Sequence, residues 1–106
     1  MPKYLLEVNY TLDGVRGLLA QGGTARKAAA QAAAKSAGGK LDAFYFAFGG
    51  TDVVIIADFA DNTAAAALAL AVTAGGGASV TTTVLLTPAE VDDAASRTVK
   101  YTPPAS

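Results

Sequence analysis

The sequence predicts an α+β fold built on a four-stranded antiparallel sheet, and three observations carry that prediction. Lys40 to Asp58 reads KLDAFYFAFGGTDVVIIAD, two aromatic and β-branched runs around a Gly49-Gly50-Thr51-Asp52 turn, which is the pattern of a β-hairpin. Two further runs, Tyr4 to Tyr10 and Ser79 to Leu86, have strand composition. Between them lie alanine-rich stretches stopped by Gly22-Gly23, Gly38-Gly39 and Gly75-Gly76-Gly77, as helices ended by glycine are.

Each element follows from local chemistry. In the first strand, Tyr4, Leu6, Val8 and Tyr10 share one face, and Leu5, Glu7 and Asn9 the other. Thr11 to Gly14 reads as a turn into a short helical piece, Val15 to Gln21. Gly22-Gly23 breaks it, and Thr24 is the expected cap of the next helix. Arg26 to Ala37 is nearly an alanine helix, with Lys27, Gln31 and Lys35 as a solvated stripe at four-residue spacing. Its alanines give a flat face that can lie close on a sheet. In the hairpin, Phe44, Phe46 and Phe48 point one way and Ala43, Tyr45 and Ala47 the other. Val54 and Ile56 oppose Val53 and Ile55. Asp61-Asn62 starts a second helix, Thr63 to Ala74. In the last strand, Val80, Thr82, Val84 and Leu86 oppose Thr81, Thr83 and Leu85. Pro88 fits the first position of a short helix capped by Thr87. Residues 97–106, with Thr102-Pro103-Pro104, read as an extended C-terminal tail, so the expected domain is 1–96.

The order is β-α-β-β-α-β with an interrupted first helix, which is the ferredoxin-like, split-βαβ pattern. Right-handed crossovers place both helices on one face of the sheet. An antiparallel strand with one wet face alternates apolar and polar residues, yet both hairpin strands are apolar on both faces. The helices can cover one side only. A second copy, packed sheet against sheet into a dimeric α+β barrel, would cover the other, so a homodimer or higher homo-oligomer is expected.

Composition excludes much chemistry. The chain has 106 residues, no His and no Cys, enough for one domain burying roughly two thirds of its unfolded surface. Ser-His and Cys-His nucleophile activation, thiolate or imidazole metal sites and His or Cys haem ligation are therefore ruled out. The acids are dispersed, so no metal and no cofactor are expected. The formal net charge is −1 and the eight basic residues are scattered. Nucleic acid, which demands a basic stripe, is not an expected partner. No signal-peptide pattern and no apolar run of the roughly 20 residues that span a bilayer is read. No membrane association is expected, and the cytoplasm is the default compartment. An N-terminal Pro2 acting as a base, as tautomerases use one, is disfavoured by the element order.

Candidate site residues are few. Glu7 and Asn9 sit on a central strand, opposite Leu6 and Val8. If Leu6 and Val8 pack on the helices, Glu7 and Asn9 face the barrel interior, where a desolvated carboxylate can serve as a general base. They are the candidate catalytic pair, with Thr81 and Thr83 lining the same space. The bland reading places Glu7 at a mouth or interface, paired with a cation. Arg16 and Arg26 flank the Gly22-Gly23 break and are candidate ligands for a carboxylate or phosphate, or simply surface arginines. Tyr10 and Tyr45 can orient a ligand by their hydroxyls, or serve as core aromatics. Asp52 reads as a turn residue, its carboxylate accepting from backbone amides of the turn.

The segments MPKYLLEVNYT, GLLAQGGTARKAA, GGKLDAFYFAFGGTDVVIIAD and TTTVLLTPAEVDDA together resemble the GYD-domain family over nearly the whole chain. The namesake turn normally reads Gly, often a spacer, then Tyr-Asp; here Gly49, Gly50 and Asp52 match, and Thr51 stands in the place of the Tyr. The resemblance implies a dimeric α+β barrel fold and assigns no chemistry. The wider barrel group includes cofactor-free monooxygenases, lactone isomerases and effector-binding modules, many of which use a histidine. Two functional classes are open. The first is a small-metabolite binding or assembly module. The alternative is a cofactor-free enzyme on a small hydrophobic carbonyl compound, with Glu7 as base and Asn9, Tyr45 or Arg26 polarising an oxygen. The lack of His, Cys and Trp favours the first.

Overall fold

The computed structural model describes residues 1–105. Its strands are β1 (Lys3–Tyr10), β2 (Lys40–Phe46), β3 (Val53–Asp58) and β4 (Ala78–Leu85). Its helices are α1 (Leu12–Gln21), α2 (Gly23–Ser36), α3 (Asn62–Ala74) and α4 (Pro88–Ser96). The strands form one antiparallel sheet in the order β2-β3-β1-β4. This is the expected ferredoxin-like α+β arrangement, with the first helix split in two and α4 appended. The two strands that supply the buried core residues, β1 and β3, are central. The Thr-rich β4 and the bulged β2, whose register shifts between Leu41 and Ala43, are the edges.

Register fixes which residues share a face. Tyr4, Leu6 and Val8 of β1 stand opposite Ala57, Ile55 and Val53 of β3. All six are buried, and with Ala34 of α2, Ala65 of α3 and Phe59 they make the core. Tyr4 is 1% exposed and donates its hydroxyl to Asn62 Oδ1 at 2.7 Å, so its polar end is satisfied. Its ring meets Phe59 edge-on at 5.8 Å.

The other face carries cross-strand rows of different character. One runs Tyr45–Val54–Glu7–Thr81, the next Ala43–Ile56–Leu5–Thr83. Leu5, Glu7, Val54 and Ile56 are only half-buried there, and Tyr45, Thr81 and Thr83 are exposed. At one end Lys3 bridges Asp42 and Asp58, the latter at 2.8 Å. That contact raises the Lys3 pKa above its ordinary value, through its hydrogen bonds to Asp42 and then Asp58. It also lowers that of Asp42, chiefly through the hydrogen bond from Lys3.

Helix ends differ from the sequence reading in instructive ways. α1 begins at Leu12, because the Thr11 side chain caps it by accepting from the Gly14 amide at 3.2 Å. Thr24 is not a cap: α2 starts at Gly23 and its N-cap is Gly22, at φ +86 with no side-chain cap. Only glycine adopts that backbone without strain, so the chain turns the corner there rather than at Thr24. Thr87 does cap α4, in a capping box with Glu90. Phe48 does not continue β2; it sits at φ +56, outside the strand, and stacks on Phe46 at 5.6 Å.

Beyond β4 the chain leaves the body. Every described residue from Leu86 onward is exposed, and α4 buries none of its residues. The radius of gyration is 16.8 Å, against about 13 Å for a compact domain of this size. Residues 97–105 of the expected C-terminal tail form no helix or strand. No described helix is long and apolar enough to cross a membrane.

Candidate functional site

The sheet separates the sequence-derived candidates into two groups. Glu7, Asn9, Tyr45, Thr81 and Thr83 share the face turned away from the core. Tyr10 and Arg26 lie on the helix-covered side, at a cavity between sheet and helices. Arg16 is exposed on α1 and lines neither this cavity nor the depression outside it. Glu7 and Arg26 therefore lie on opposite sides of the sheet.

On the open face, Glu7 and Asn9 are engaged with the β2–β3 loop. Glu7 Oε2 accepts from the Thr51 hydroxyl at 3.2 Å, and Asn9 Oδ1 accepts from the Asp52 amide at 3.2 Å. The Asp52 amide also donates to the Val8 carbonyl at 3.0 Å. Asp52 Oδ2 in turn accepts from the Tyr10 amide at 2.8 Å. The carboxylate thus accepts from a backbone amide, as expected of a turn residue, but the amide belongs to β1 and not to the turn. Thr51 and Asp52 pin the loop across the end of β1. Thr51 supplies the hydroxyl that Glu7 holds.

On the covered side, alanine decides the geometry. The small side chains let α2 and α3 approach the sheet at Ala34 and Ala65, which are buried. They do not fill the space further along. Ala29, Ala30 and Ala33 of α2 and Ala69 of α3 line a cavity of about 120 Å³ together with Leu6, Val8, Phe44, Val53, Ile55, Leu68 and Val80. The flat alanine face is therefore close to the sheet at one end and stands off at the other. The sequence shows the alanines; it does not show where they leave a gap.

Among the described residues, Arg26 is the only charged one lining that cavity, and Tyr10 carries its only side-chain hydroxyl. The Arg26 guanidinium donates one long hydrogen bond, to Gln21 Oε1 at 3.4 Å. It makes no ion pair among the described residues. Tyr10, Arg26, Val72 and Ala78 also line a shallow outer depression, with Asp13, Gly14 and Gly75 to Gly77 on its far wall. That wall is closed by backbone: Thr11 donates its amide to Gly77 O at 3.0 Å and its hydroxyl to Gly76 O at 2.8 Å. A Cβ on Gly14 would lie 1.9 Å from Gly77 O. Among the described residues no group of three or more acids is placed to hold a metal ion.

This fold and these two sites define a small ferredoxin-like α+β protein whose chain has no His and no Cys. A family model described as the GYD domain matches residues 4–95, and the chain belongs to that family. No curated protein and no solved structure matches it significantly.

Proposed function

We propose that the protein works as a homo-oligomeric binding module, in which two copies pack their open sheet faces together into an α+β barrel. One observation carries the reading: the face formed by Leu5, Val54, Ile56, Ala43 and Tyr45 is apolar at its centre and uncovered by the helices of its own chain. Soluble monomers rarely leave such patches open. Four strands about 4.8 Å apart and six to eight residues long present roughly 500 Å² in projection. That is the scale of a standard interface, about 800 Å² of accessible surface per partner.

The cationic end of that face is compatible with burial against a copy of itself. Lys3 is already bridged to Asp42 and Asp58, and Glu7 holds the Thr51 hydroxyl. Covering the face strands no unpaired ammonium. A two-fold axis makes one self-complementary patch sufficient. The exposed arm from Leu86 to Tyr101, with Leu86 at 60%, Val99 at 78% and Tyr101 at 73%, offers a second contact for higher assembly.

Binding is favoured over catalysis by the engagement of Glu7 and Asn9 with the loop and by the separation of Glu7 from Arg26 across the sheet. The test is native mass spectrometry with light scattering on wild type and Val54→Asp. An even-numbered oligomer that becomes a folded monomer on substitution is the expected result. A wild-type monomer across micromolar concentrations overturns the reading.

A further inference from the structure

We propose that the cavity between α2, α3 and the sheet is a binding site for a small apolar monocarboxylic acid, with Arg26 as the counter-ion at its mouth. This names the ligand class of the binding module proposed above and rests on that reading only in being binding rather than catalysis.

The volume sets the size of the apolar body. A dry cavity of about 150 Å³ lined by Leu, Ile and Phe takes up a benzene-sized molecule, and this one is about 120 Å³ with Leu6, Val53, Ile55, Phe44 and Leu68 in its wall. It is the direct consequence of alanine at Ala29, Ala30, Ala33 and Ala69. Larger residues would have closed the space, and an interior normally packs without such voids.

Charge sets the head group. The cavity lining is apolar apart from Arg26 and the Tyr10 hydroxyl, both at the edge shared with the outer depression. The Arg26 guanidinium has no ion pair among the described residues, and its one hydrogen bond, to Gln21, is on the side of the outer depression; on a side chain that also lines the apolar cavity, it matches a planar carboxylate by two parallel hydrogen bonds. The only other charged residue in the depression is Asp13. It supplies no second cation for a dianion and repels one, so a single negative charge fits better than a phosphate. The ligand lies with its ring or branched chain among Leu6, Val53 and Leu68 and its carboxylate at Arg26 and Tyr10.

The test is an amide and arginine side-chain NMR titration with benzoate, and with benzyl alcohol as its uncharged counterpart, on wild type, Arg26→Gln and Arg26→Lys. Saturable shifts at Leu6, Val8, Val53, Ile55 and the Arg26 Nε are expected with benzoate. Benzyl alcohol, and benzoate on Arg26→Gln, should bind roughly ten- to a hundredfold more weakly, the usual weight of a charge-assisted contact. Arg26→Lys should recover part of the loss. The proposal is overturned by no saturation at tens of millimolar benzoate, by equal binding of acid and alcohol with Arg26→Gln unchanged, or by shifts confined to Leu5, Glu7 and Val54. The same titration on Val54→Asp separates the two proposals. The cavity lies on the other side of the sheet, so binding there survives loss of the oligomer, and a monomeric wild type leaves the titration just as decisive.

Discussion

The two faces of the β1–β3 pair are made from alternate residues of the same strands, and they meet different fates. Leu6 and Ile55 stand opposite each other on the helix side and are 2% and 6% exposed. Leu5 and Ile56, their neighbours in sequence, pair on the other side and stay half-buried. Residue type does not distinguish the faces; the supply of cover does. The two covering helices are also made largely of alanine, which forms helix well but brings little apolar area. One face is therefore covered incompletely, leaving a cavity, and the other is not covered by the chain's own helices at all.

The largest effect is expected when the same charge is placed on each face in turn. Ile55→Asp puts an unpaired carboxylate in the core, a cost of at least about 4 kcal/mol. That approaches the entire stability of a small domain, roughly 5–15 kcal/mol. Loss of the cooperative thermal transition and of far-UV circular dichroism is the expected outcome. Val54→Asp, one residue away, changes a half-buried position, with a local cost of about 1 kcal/mol from strand preference. Its chain should stay folded while the proposed oligomer dissociates. Should both variants unfold, or both stay folded, the two faces are not distinct in the way their burial implies.

Next in size is the closure around α1. Gly14→Ala introduces a Cβ 1.9 Å from Gly77 O and 2.9 Å from a Tyr10 ring carbon. The nearest atom is backbone, so the helix or the Gly75–Gly77 loop must move. Overpacking of this kind costs about 1–3 kcal/mol. A thermal or urea midpoint unchanged from wild type would contradict the close approach. A lower midpoint with unchanged native mass confines the damage to the helix side.

Much of this architecture is legible in the residues. The alternation of Tyr4, Leu6 and Val8 against Leu5, Glu7 and Asn9, the three glycine breaks and the doubly apolar hairpin fix element order and helix placement. What the hairpin does not show is parity: Val53 and Ile55 are as apolar as Val54 and Ile56, so only register against β1 tells core from open face. The site is less legible. Glu7 and Asn9 stand out as polar residues on a central strand, but their engagement with Thr51 and the Asp52 amide depends on a loop contact across 44 and 43 residues of chain. The cavity depends on how far α2 and α3 stand from the sheet, which an alanine run leaves unstated. Thr24 fails as a cap because capping preference says nothing of a glycine at φ +86 two residues earlier.

The smallest expected effect concerns the charged end of the open face. Asp42 has a folded pKa below its ordinary value, so what its ion pair contributes is present above the carboxylate range and lost as pH falls through the folded value. Lys3 has a folded pKa above its ordinary value, so its contribution is present below that value and lost as pH rises through the folded one. Together they give a plateau across neutral pH with one acidic and one alkaline edge. Lys3→Met removes the ammonium between two carboxylates, one of them Asp58 at 7% exposure. Its melting temperature should fall below wild type by a constant margin through neutral pH, and the margin should shrink in acid as Asp42 is protonated. A margin as large in strong acid as at neutral pH would rule out the bridge as its origin. Salt adds the link to the two faces. An exposed pair is screened and a covered one much less so, so the margin should resist added salt in the oligomer and yield to it in monomeric Val54→Asp.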